Sequence, residues 1–216
     1  ALAAARKALA DEYLGARIAA VSLLGERGDR SVDAELIALA QGDDRFVALR
    51  AATLVRKRGG DRIVAPLEQA LADPAWSVRA AAVNAATGIA PREVALELIT
   101  RRLVDDRVEV RLAAARALMT YQLGDRVRDV LVAALADGRD EPRVEAAAHL
   151  ARMDDPLGLE HLSKLAGAAS PHTRAAAARA HLDAGRPSPG LVAALADESL
   201  EVRIEAAEII LMLARD

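Results

Sequence analysis

The sequence predicts an all-α fold, a right-handed α-solenoid of about seven helical hairpins. Hydrophobic residues make up 53% of the 216 residues but aromatic residues only 2%. Alanine, leucine and valine must therefore form the core, and the first two are strong helix formers. Alanine-rich helical segments that begin near an arginine also recur every 29 to 33 residues. Self-similarity at such a period is typical of solenoids.

Seven arginines define the repeat: Arg17, Arg50, Arg79, Arg111, Arg143, Arg174 and Arg203. Small or apolar residues follow them at helical spacing, so that three places beyond most of these arginines stands an alanine. This spacing predicts a small-residue face that lets neighbouring helices pack closely. A second amphipathic helix precedes most of them, over 61–72, 91–104, 125–136 and 156–167. Each unit is therefore predicted to be a hairpin that buries its apolar face by stacking on its neighbours.

Helix breakers and N-terminal residues mark the joints between these helices. Pro91, Gly124 and Pro156 separate predicted helices. Asp73-Pro74, Ser170-Pro171 and Ser188-Pro189 supply residue types that suit helix starts.

An aspartate stands six residues before six of the seven arginines. We expect it to lie in the turn between the two helices and to cap the second one. The arginine can bridge this carboxylate and loop carbonyls, within a repeat or across to the next. We interpret Arg79 as paired with Asp73. The predicted structural ladder consists of Asp11, Arg17, Asp44, Arg50, Asp73, Arg79, Asp105, Arg111, Asp137, Arg143, Asp197 and Arg203.

Segments such as ALADPAWSVRAAAVNAA, LVDDRVEVRLAAARAL and ALADESLEVRIEAAEII resemble HEAT repeats, of the armadillo-like class. They are most similar to the short HEAT-like type of phycobilisome lyases and many bacterial scaffold proteins. The resemblance covers the whole chain, and repeats three, four and seven match best. The sixth repeat has Ala168 in place of the aspartate, and the first lacks the valine before Arg17. We expect a single solenoid domain over 1–216 that is excised from, or part of, a longer chain.

The resemblance implies that the second helices line a concave face. The groove is expected to be moderately apolar, because the position after each arginine is steadily apolar while the fifth position beyond it varies. Such a groove suits a protein or peptide. The predicted partner-binding residues are Asn84, Arg116, Met119, Glu145, Arg152, Arg179, Glu205 and Glu208.

Signatures of catalysis are scarce. No phosphate-binding loop, GxSxG or HExxH motif occurs, and the absence of cysteine excludes thiolate metal sites. We expect His149 to be a packed or capped residue and Trp76 to cover the turn of the neighbouring repeat. The cluster Arg56-Lys57-Arg58 and the pair Arg101-Arg102 are interpreted as solvated helix ends. No cofactor or metal is expected.

The net charge of −3 argues against nucleic-acid and membrane partners. We therefore expect a non-enzymatic, cytoplasmic scaffold or adaptor that binds a protein or peptide. The alternative is an enzyme or enzyme accessory of the HEAT-like lyase or DNA base-excision type. The apolar last helix, IEAAEIILMLARD, lacks the polar outer face of a capping repeat. We expect this end to pair with another chain or to continue into further repeats.

Overall fold

The computed structural model describes residues 2–26, 32–57 and 64–214, and within them it contains fourteen α-helices in seven successive pairs. The first helices of the pairs are α1 (Leu2–Ala8), α3 (Asp33–Ala40), α5 (Ala65–Leu71), α7 (Arg92–Thr100), α9 (Arg128–Ala134), α11 (Pro156–Leu165) and α13 (Pro189–Ala193). The second helices are α2 (Leu14–Glu26), α4 (Arg45–Lys57), α6 (Trp76–Ile89), α8 (Val108–Thr120), α10 (Asp140–Arg152), α12 (Pro171–Ala184) and α14 (Leu200–Leu213). The predicted all-α, seven-hairpin solenoid is confirmed.

The first helices are shorter than the periodicity predicts. The segment 91–104 consists of α7 followed by a 3-10 turn, Arg101–Val104, and only Arg128–Ala134 of 125–136 is α-helical. A 3-10 turn also follows α13, at Ala194–Ala196. A last turn in the tighter 3-10 geometry satisfies carbonyls that have no partner farther along the helix. The predicted start of α5, at 61–63, lies outside the described residues.

Two of the predicted helix starts are capped by serine. Ser170 accepts a hydrogen bond from the N–H of Thr173, and Ser188 accepts one from Leu191, each just before a proline at the first helical position. Asp73-Pro74 behaves differently, because α6 begins only at Trp76. There the Asp73 carboxylate binds the N–H of Ala75, ahead of the helix.

The small-residue face forms the core. The residue three places beyond the arginine is completely buried in five of the repeats, at Ala82, Ala114, Ala146, Ala177 and Ala206. Backbones approach closely where such residues meet. A Cβ atom placed on Gly158 of α11 would lie 2.1 Å from the amide nitrogen of Ala151 in α10. The predicted close packing of neighbouring helices is thus realised by residues with almost no side chain.

The chain divides into two compact units, Ala1–Ala117 and Leu118–Asp216. The first contains α1 to α7 and most of α8, and the second contains the end of α8 together with α9 to α14. The expectation of one domain over 1–216 stays a prediction. In the described ranges, no helix has the length and apolar character that crossing a bilayer requires.

Candidate protein-binding surface

The aspartates before the second helices organise the turns. Asp73 Oδ1 accepts the Ala75 N–H at 2.8 Å, and Asp197 Oδ1 accepts that of Ser199 at the same distance. Asp44 instead reaches the N–H of Val47, inside α4, at 3.2 Å. A carboxylate that binds the amide two residues on forms an Asx-turn. The predicted capping role therefore describes Asp44, whereas at Asp73 and Asp197 the carboxylate shapes the turn ahead of the helix.

Arg79 joins its own turn to the next one. Its Nη1 donates to the carbonyl oxygens of Asp73 and Pro74, at 3.0 and 3.1 Å. Its Nε and Nη2 donate to the two carboxylate oxygens of Asp105, in the following repeat, at 2.9 and 2.8 Å. The interpretation that Arg79 pairs with Asp73 thus needs correction, because Asp73 offers Arg79 its carbonyl and the carboxylate comes from Asp105.

The Arg79–Asp105 pair is well shielded from water, with side-chain exposures of 10% and 4%. Burial by itself would raise the pKa of Asp105. The hydrogen bonds from Arg79 and from the N–H of Arg107 outweigh it, so that the pKa lies below its usual value. The ionised pair is therefore the stable form at neutral pH.

The same arrangement recurs in two other repeats. Arg17 binds the carbonyls of Asp11 and Glu12 together with the carboxylate of Asp44. Arg174 binds the carbonyl of Ala168 and both carboxylate oxygens of Asp197. Because the turn of its own repeat supplies Arg174 only with carbonyl oxygens, alanine at 168 satisfies this arginine as well as aspartate would.

The other arginines of the series make further contacts. Arg143 would have to bind residue 168, which is alanine, and it pairs instead with Asp140 in its own helix at 3.0 Å. Arg50 donates to Ser22 Oγ. Arg111 and Arg203 bind the carbonyls of Asp105 and Asp197 in their own turns. Arg17, Arg79 and Arg174 therefore join successive repeats, whereas Arg143 forms an ion pair within its own helix.

Trp76 lies at the start of α6 and is 40% exposed. The guanidinium of Arg107, in the turn of the next repeat, lies 5.5 Å from the centre of its ring. This distance fits a cation–π contact. The structure thus places Trp76 against the neighbouring turn, as expected from its position between Asp73 and Arg79.

Two histidines are buried. His181 is fully buried, its Nδ1 lies 2.8 Å from the carbonyl of Ala177, and its Nε2 lies 2.7 Å from Ser188 Oγ. A carbonyl only accepts, so Nδ1 carries the proton and Nε2 accepts from the serine. Burial lowers the pKa of His181. His149 is packed in α10, where its Nδ1 lies 3.4 Å from Arg152 Nη2.

The second helices of the first unit line a groove of about 420 Å³. Its lining residues come from α2, α4 and α6, and most of them are apolar. The lining residues are Ile18, Phe46, Leu49, Arg50, Thr53, Ala81, Asn84 and Ala85.

Six of the eight predicted partner-binding residues meet one another in pairs on successive second helices, and Glu145 lies one turn from His149 on α10. Arg116 donates to Asn84 at 3.1 Å, and both side chains are exposed. Arg179 binds Glu205 through two hydrogen bonds of 2.8 and 2.7 Å, which lower the pKa of Glu205. The other contacts are Arg152 Nη2 to Met119 Sδ at 4.0 Å and His149 Nε2 to Glu145 Oε1 at 3.6 Å.

Glu208 is exposed on α14, and its carboxylate makes no hydrogen bond or ion pair with any other described residue. Met119 and Arg152 also line a depression of about 460 Å³ in the second unit, with Gly124 and Met153. A third depression, of about 450 Å³, lies against α11 and the segment 187–189, where Glu160 and Lys164 form an ion pair. Hollows therefore occur on first helices as well as on second ones.

The sequence did not single out Phe46, Leu49 and Thr53. They stand four and one places before Arg50 and three places after it, and this spacing puts them on one face of α4. The predicted surface used only positions beyond the arginine. The helical spacing also predicts that positions four and one places before the arginine lie on this face.

The steadily apolar position after the arginine contributes to the groove only in part: Ile18 lines it, as expected, but others of the series do not. Ala51, Leu112 and Ala175 are buried, at 0, 1 and 2% exposure. They contribute to the core and not to the groove, so their apolar character reflects packing between helices.

The basic clusters differ from each other. Arg56 and Lys57 end α4, as expected, whereas Arg58 lies outside the described residues. Arg101 forms an ion pair with Glu97, and Arg102 lies 3.9 Å from the carboxylate of Asp105. In the part of the chain that the structure describes, no group of three His, Asp or Glu residues could hold a metal ion.

Residues 64–150 match the sequence profile of HEAT repeats. This segment runs from the start of α5 into the last turn of α10 and includes the turns that bear Asp73, Asp105 and Asp137. It consists of HEAT repeats. The prediction of HEAT repeats is thereby confirmed for three of the seven hairpins, and the finer likeness to the phycobilisome lyase type stays a prediction.

Solved structures share the fold. The YibA protein of Escherichia coli is 23% identical, with a TM-score of 0.55 over 100% of this chain and 81% of that one. An engineered protein is 21% identical, with a TM-score of 0.50 over 99% and 96%. A designed armadillo repeat protein in complex with the peptide (KR)4 is 19% identical, with a TM-score of 0.50 over 97% and 98%. No curated protein sequence matches the chain.

Proposed function

We propose that this protein is a non-enzymatic, cytoplasmic scaffold or adaptor that binds a protein or peptide on its second helices. The observation that carries the proposal is the groove lined by α2, α4 and α6. Phe46, Leu49 and Ile18 give it an apolar lining, and Arg50 and Asn84 provide polar groups along it. An amphipathic segment laid into such a groove buries its apolar face and keeps hydrogen-bonding partners.

Polar side chains that pair between successive second helices support the same function. Asn84–Arg116 and Arg179–Glu205 leave at least one exposed partner each on the second helices. Exposed charged and amide side chains fix the register and orientation of a bound segment more than they add affinity. That a designed armadillo repeat protein forms a complex with a peptide is consistent with this use of the fold.

The test is a random-peptide display selection on the wild-type chain, followed by binding measurements on two variants. Asn84→Trp places a bulky ring at an exposed position of the groove, where it competes with the ligand for space. Glu68→Trp places the same ring on α5, at an exposed first-helix position outside the groove, and serves as the matched control. We expect Asn84→Trp to weaken selected peptides at least tenfold, about 1.4 kcal/mol, and Glu68→Trp to leave the affinity unchanged.

Two outcomes would remove the proposal. One is a selection in which no peptide is enriched on the folded protein over a control surface. The other is a set of enriched peptides that bind wild type and Asn84→Trp equally well. Circular dichroism of both variants establishes that a lost affinity does not come from a lost fold.

A further inference from the structure

The charged residues of α4, the helix between α2 and α6 in the groove, are all basic. Its thirteen residues include four basic side chains and no acidic one: Arg45, Arg50, Arg56 and Lys57. The second helices of the other unit, α10, α12 and α14, together carry five basic and seven acidic residues. Because second helices of either charge form the same hairpins, the fold does not require the basic character of α4.

This positive charge lies on the face of α4 that lines the groove. The lining residues of α4 are Phe46, Leu49, Arg50 and Thr53. Lys57 stands seven places after Arg50 and four after Thr53, so the helical spacing continues this face to the end of α4. Lys57 is exposed and makes no hydrogen bond or ion pair with another described residue. Since none of the lining residues is acidic, the formal charge of the lining is positive.

The hydroxyl groups at the groove donate to their own helices. Ser22 Oγ donates to the carbonyl oxygen of Ile18 at 2.8 Å. Thr53 Oγ1 donates to that of Leu49 at 2.9 Å. Ser22 Oγ also accepts a hydrogen bond of 2.8 Å from Arg50 Nε. A hydroxyl has a single hydrogen, so neither of these two has a hydrogen left for a ligand.

Asn84 presents a donor at the groove. Its Oδ1 accepts a hydrogen bond of 3.1 Å from Arg116 Nη2. A guanidinium only donates, so the amide oxygen of Asn84 must be the atom that faces it. No described residue accepts a hydrogen bond from the NH2 group of Asn84, whose side chain is exposed. The amide and guanidinium groups at the groove therefore suit a ligand that carries acceptors.

We propose that the segment which binds in this groove is acidic and amphipathic. This partner class rests on the proposed function of the groove, since it names the chemistry of what binds there. Apolar side chains of the segment pack on Ile18, Phe46 and Leu49, and aspartate or glutamate side chains one turn away accept hydrogen bonds from Arg50 and Asn84. An ionised carboxylate carries the opposite charge and only accepts, which matches both properties of the lining.

Nucleic acids also carry negative charge and acceptors. Their phosphate backbone gains nothing from an apolar lining, whereas an amphipathic peptide buries its apolar face there. The apolar side chains of Ile18, Phe46 and Leu49 therefore favour a peptide.

The experiment compares peptides selected by display on the full chain with neutral copies of themselves. In each copy every aspartate becomes asparagine and every glutamate becomes glutamine, so the size and the apolar face are kept. We expect the selected peptides to combine aspartate or glutamate with leucine or phenylalanine. Fluorescence anisotropy should show the neutral copy binding about tenfold more weakly, because charge-assisted hydrogen bonds are lost. Added salt should weaken the parent peptide more than the neutral copy.

Two variants of the protein test the donor at the groove. Asn84→Asp replaces the NH2 group by a carboxylate oxygen of similar size beside Arg116. Gln69→Glu is the matched control, because Gln69 is exposed on α5, does not line the groove, and accepts from Arg45 Nη1 at 2.8 Å. Both changes add one negative charge next to an arginine. Asn84→Asp should weaken acidic peptides about tenfold or more, and a selection repeated on it should enrich peptides with fewer carboxylates. Gln69→Glu should bind as wild type does.

The outcomes separate this partner class from peptide binding as such. A selection that enriches no peptide removes both proposals. Enriched peptides that bind as tightly after neutralisation, or that bind Asn84→Asp as tightly as wild type, overturn the acidic class alone and leave a peptide groove in place. Oligothymidylate that binds wild type more tightly than every selected peptide, and loses affinity in Asn84→Asp, assigns the groove to nucleic acid and overturns it as well.

Discussion

Arg79 and Arg143 occupy the same place in two repeats but have different partners. Arg79 reaches Asp105 of the next repeat, whereas Arg143 pairs with Asp140 in its own helix. The difference follows from one residue, Ala168, which stands where the next aspartate would be. Thr173 of that next repeat then binds the second oxygen of Asp140 at 2.8 Å. At this joint the later repeat therefore supplies the donor, Thr173, and the earlier repeat supplies the carboxylate, Asp140.

The two arginines should differ in their effect on stability. Arg79→Ala leaves Asp105 buried and charged without its partner, which should lower the free energy of unfolding by about 3 kcal/mol. Arg143→Ala removes a pair whose side chains are 33% and 36% exposed and should cost no more than about 1 kcal/mol. Urea denaturation of both variants measures this difference. Equal losses would show that the Asp105 pair carries no special weight.

The partners of these residues were only partly predictable. The spacing of six residues identifies the aspartate and the arginine that flank the same turn. It does not say whether the carboxylate or the carbonyl of Asp73 binds Arg79, because both groups lie in the same turn. Which group binds depends on the distance between one repeat and the next, and that distance is set by how the helices pack.

At the scale of the helices, close contact between α10 and α11 restricts which residues can stand at the interface. Gly158 of α11 lies at such a contact. A Cβ atom there would lie 2.1 Å from the Ala151 nitrogen and 2.7 Å from the Ala147 oxygen. Backbone atoms of α10 cannot move aside as a side chain would, so Gly158→Ala must push α11 away from α10.

We expect Gly158→Ala to destabilise the protein by about 3 kcal/mol, the upper end of the range for overpacking. Gly138→Ala is the matched control, because a Cβ there meets no atom within 4 Å. It should leave the melting temperature unchanged or slightly raise it, since alanine restricts the unfolded chain. Thermal denaturation followed by circular dichroism compares the two. A Gly158→Ala protein as stable as wild type would mean that the two helices are farther apart.

His181 and Ser188 connect α12 to the start of α13. The serine hydroxyl donates to His181 Nε2 and also accepts the Leu191 N–H that caps α13. A protonated histidine could not accept the serine's hydrogen bond. Together with burial, this keeps His181 neutral in the folded protein.

The stability of the protein should therefore fall as the pH is lowered. The unfolded chain takes up a proton on this histidine near pH 6.5, whereas the folded chain, whose His181 pKa is lowered, does so only at more acidic pH. Between those two values the free energy of unfolding should decrease by up to about 1.4 kcal/mol per pH unit.

Two variants isolate this contribution. His181→Leu should remove that part of the pH dependence, although Ser188 loses its acceptor. His172→Gln, at an exposed position of the same helix, should keep it. Chemical denaturation between pH 5 and 8 (about the range where histidine titrates) provides the measurement. An unchanged slope in His181→Leu would assign the pH dependence to other groups.

At the scale of the whole molecule, the composition explains why the repeats pack with so few large side chains. Alanines fill the positions where second helices meet, and 53% of all residues are hydrophobic. Large apolar residues also remain exposed along the chain, among them Tyr13, Trp76, Val104 and Leu211.

The sequence by itself determined the helical hairpins, their number and the identity of the ladder residues. These features depend on local spacing: a helix period, a turn residue and an arginine at a fixed offset. It also placed Asn84 and Arg116 on the second helices. The tertiary structure alone decided that Asp105 holds Arg79 and that Phe46 lines a groove. These facts depend on distances between residues of different repeats, which local spacing cannot specify.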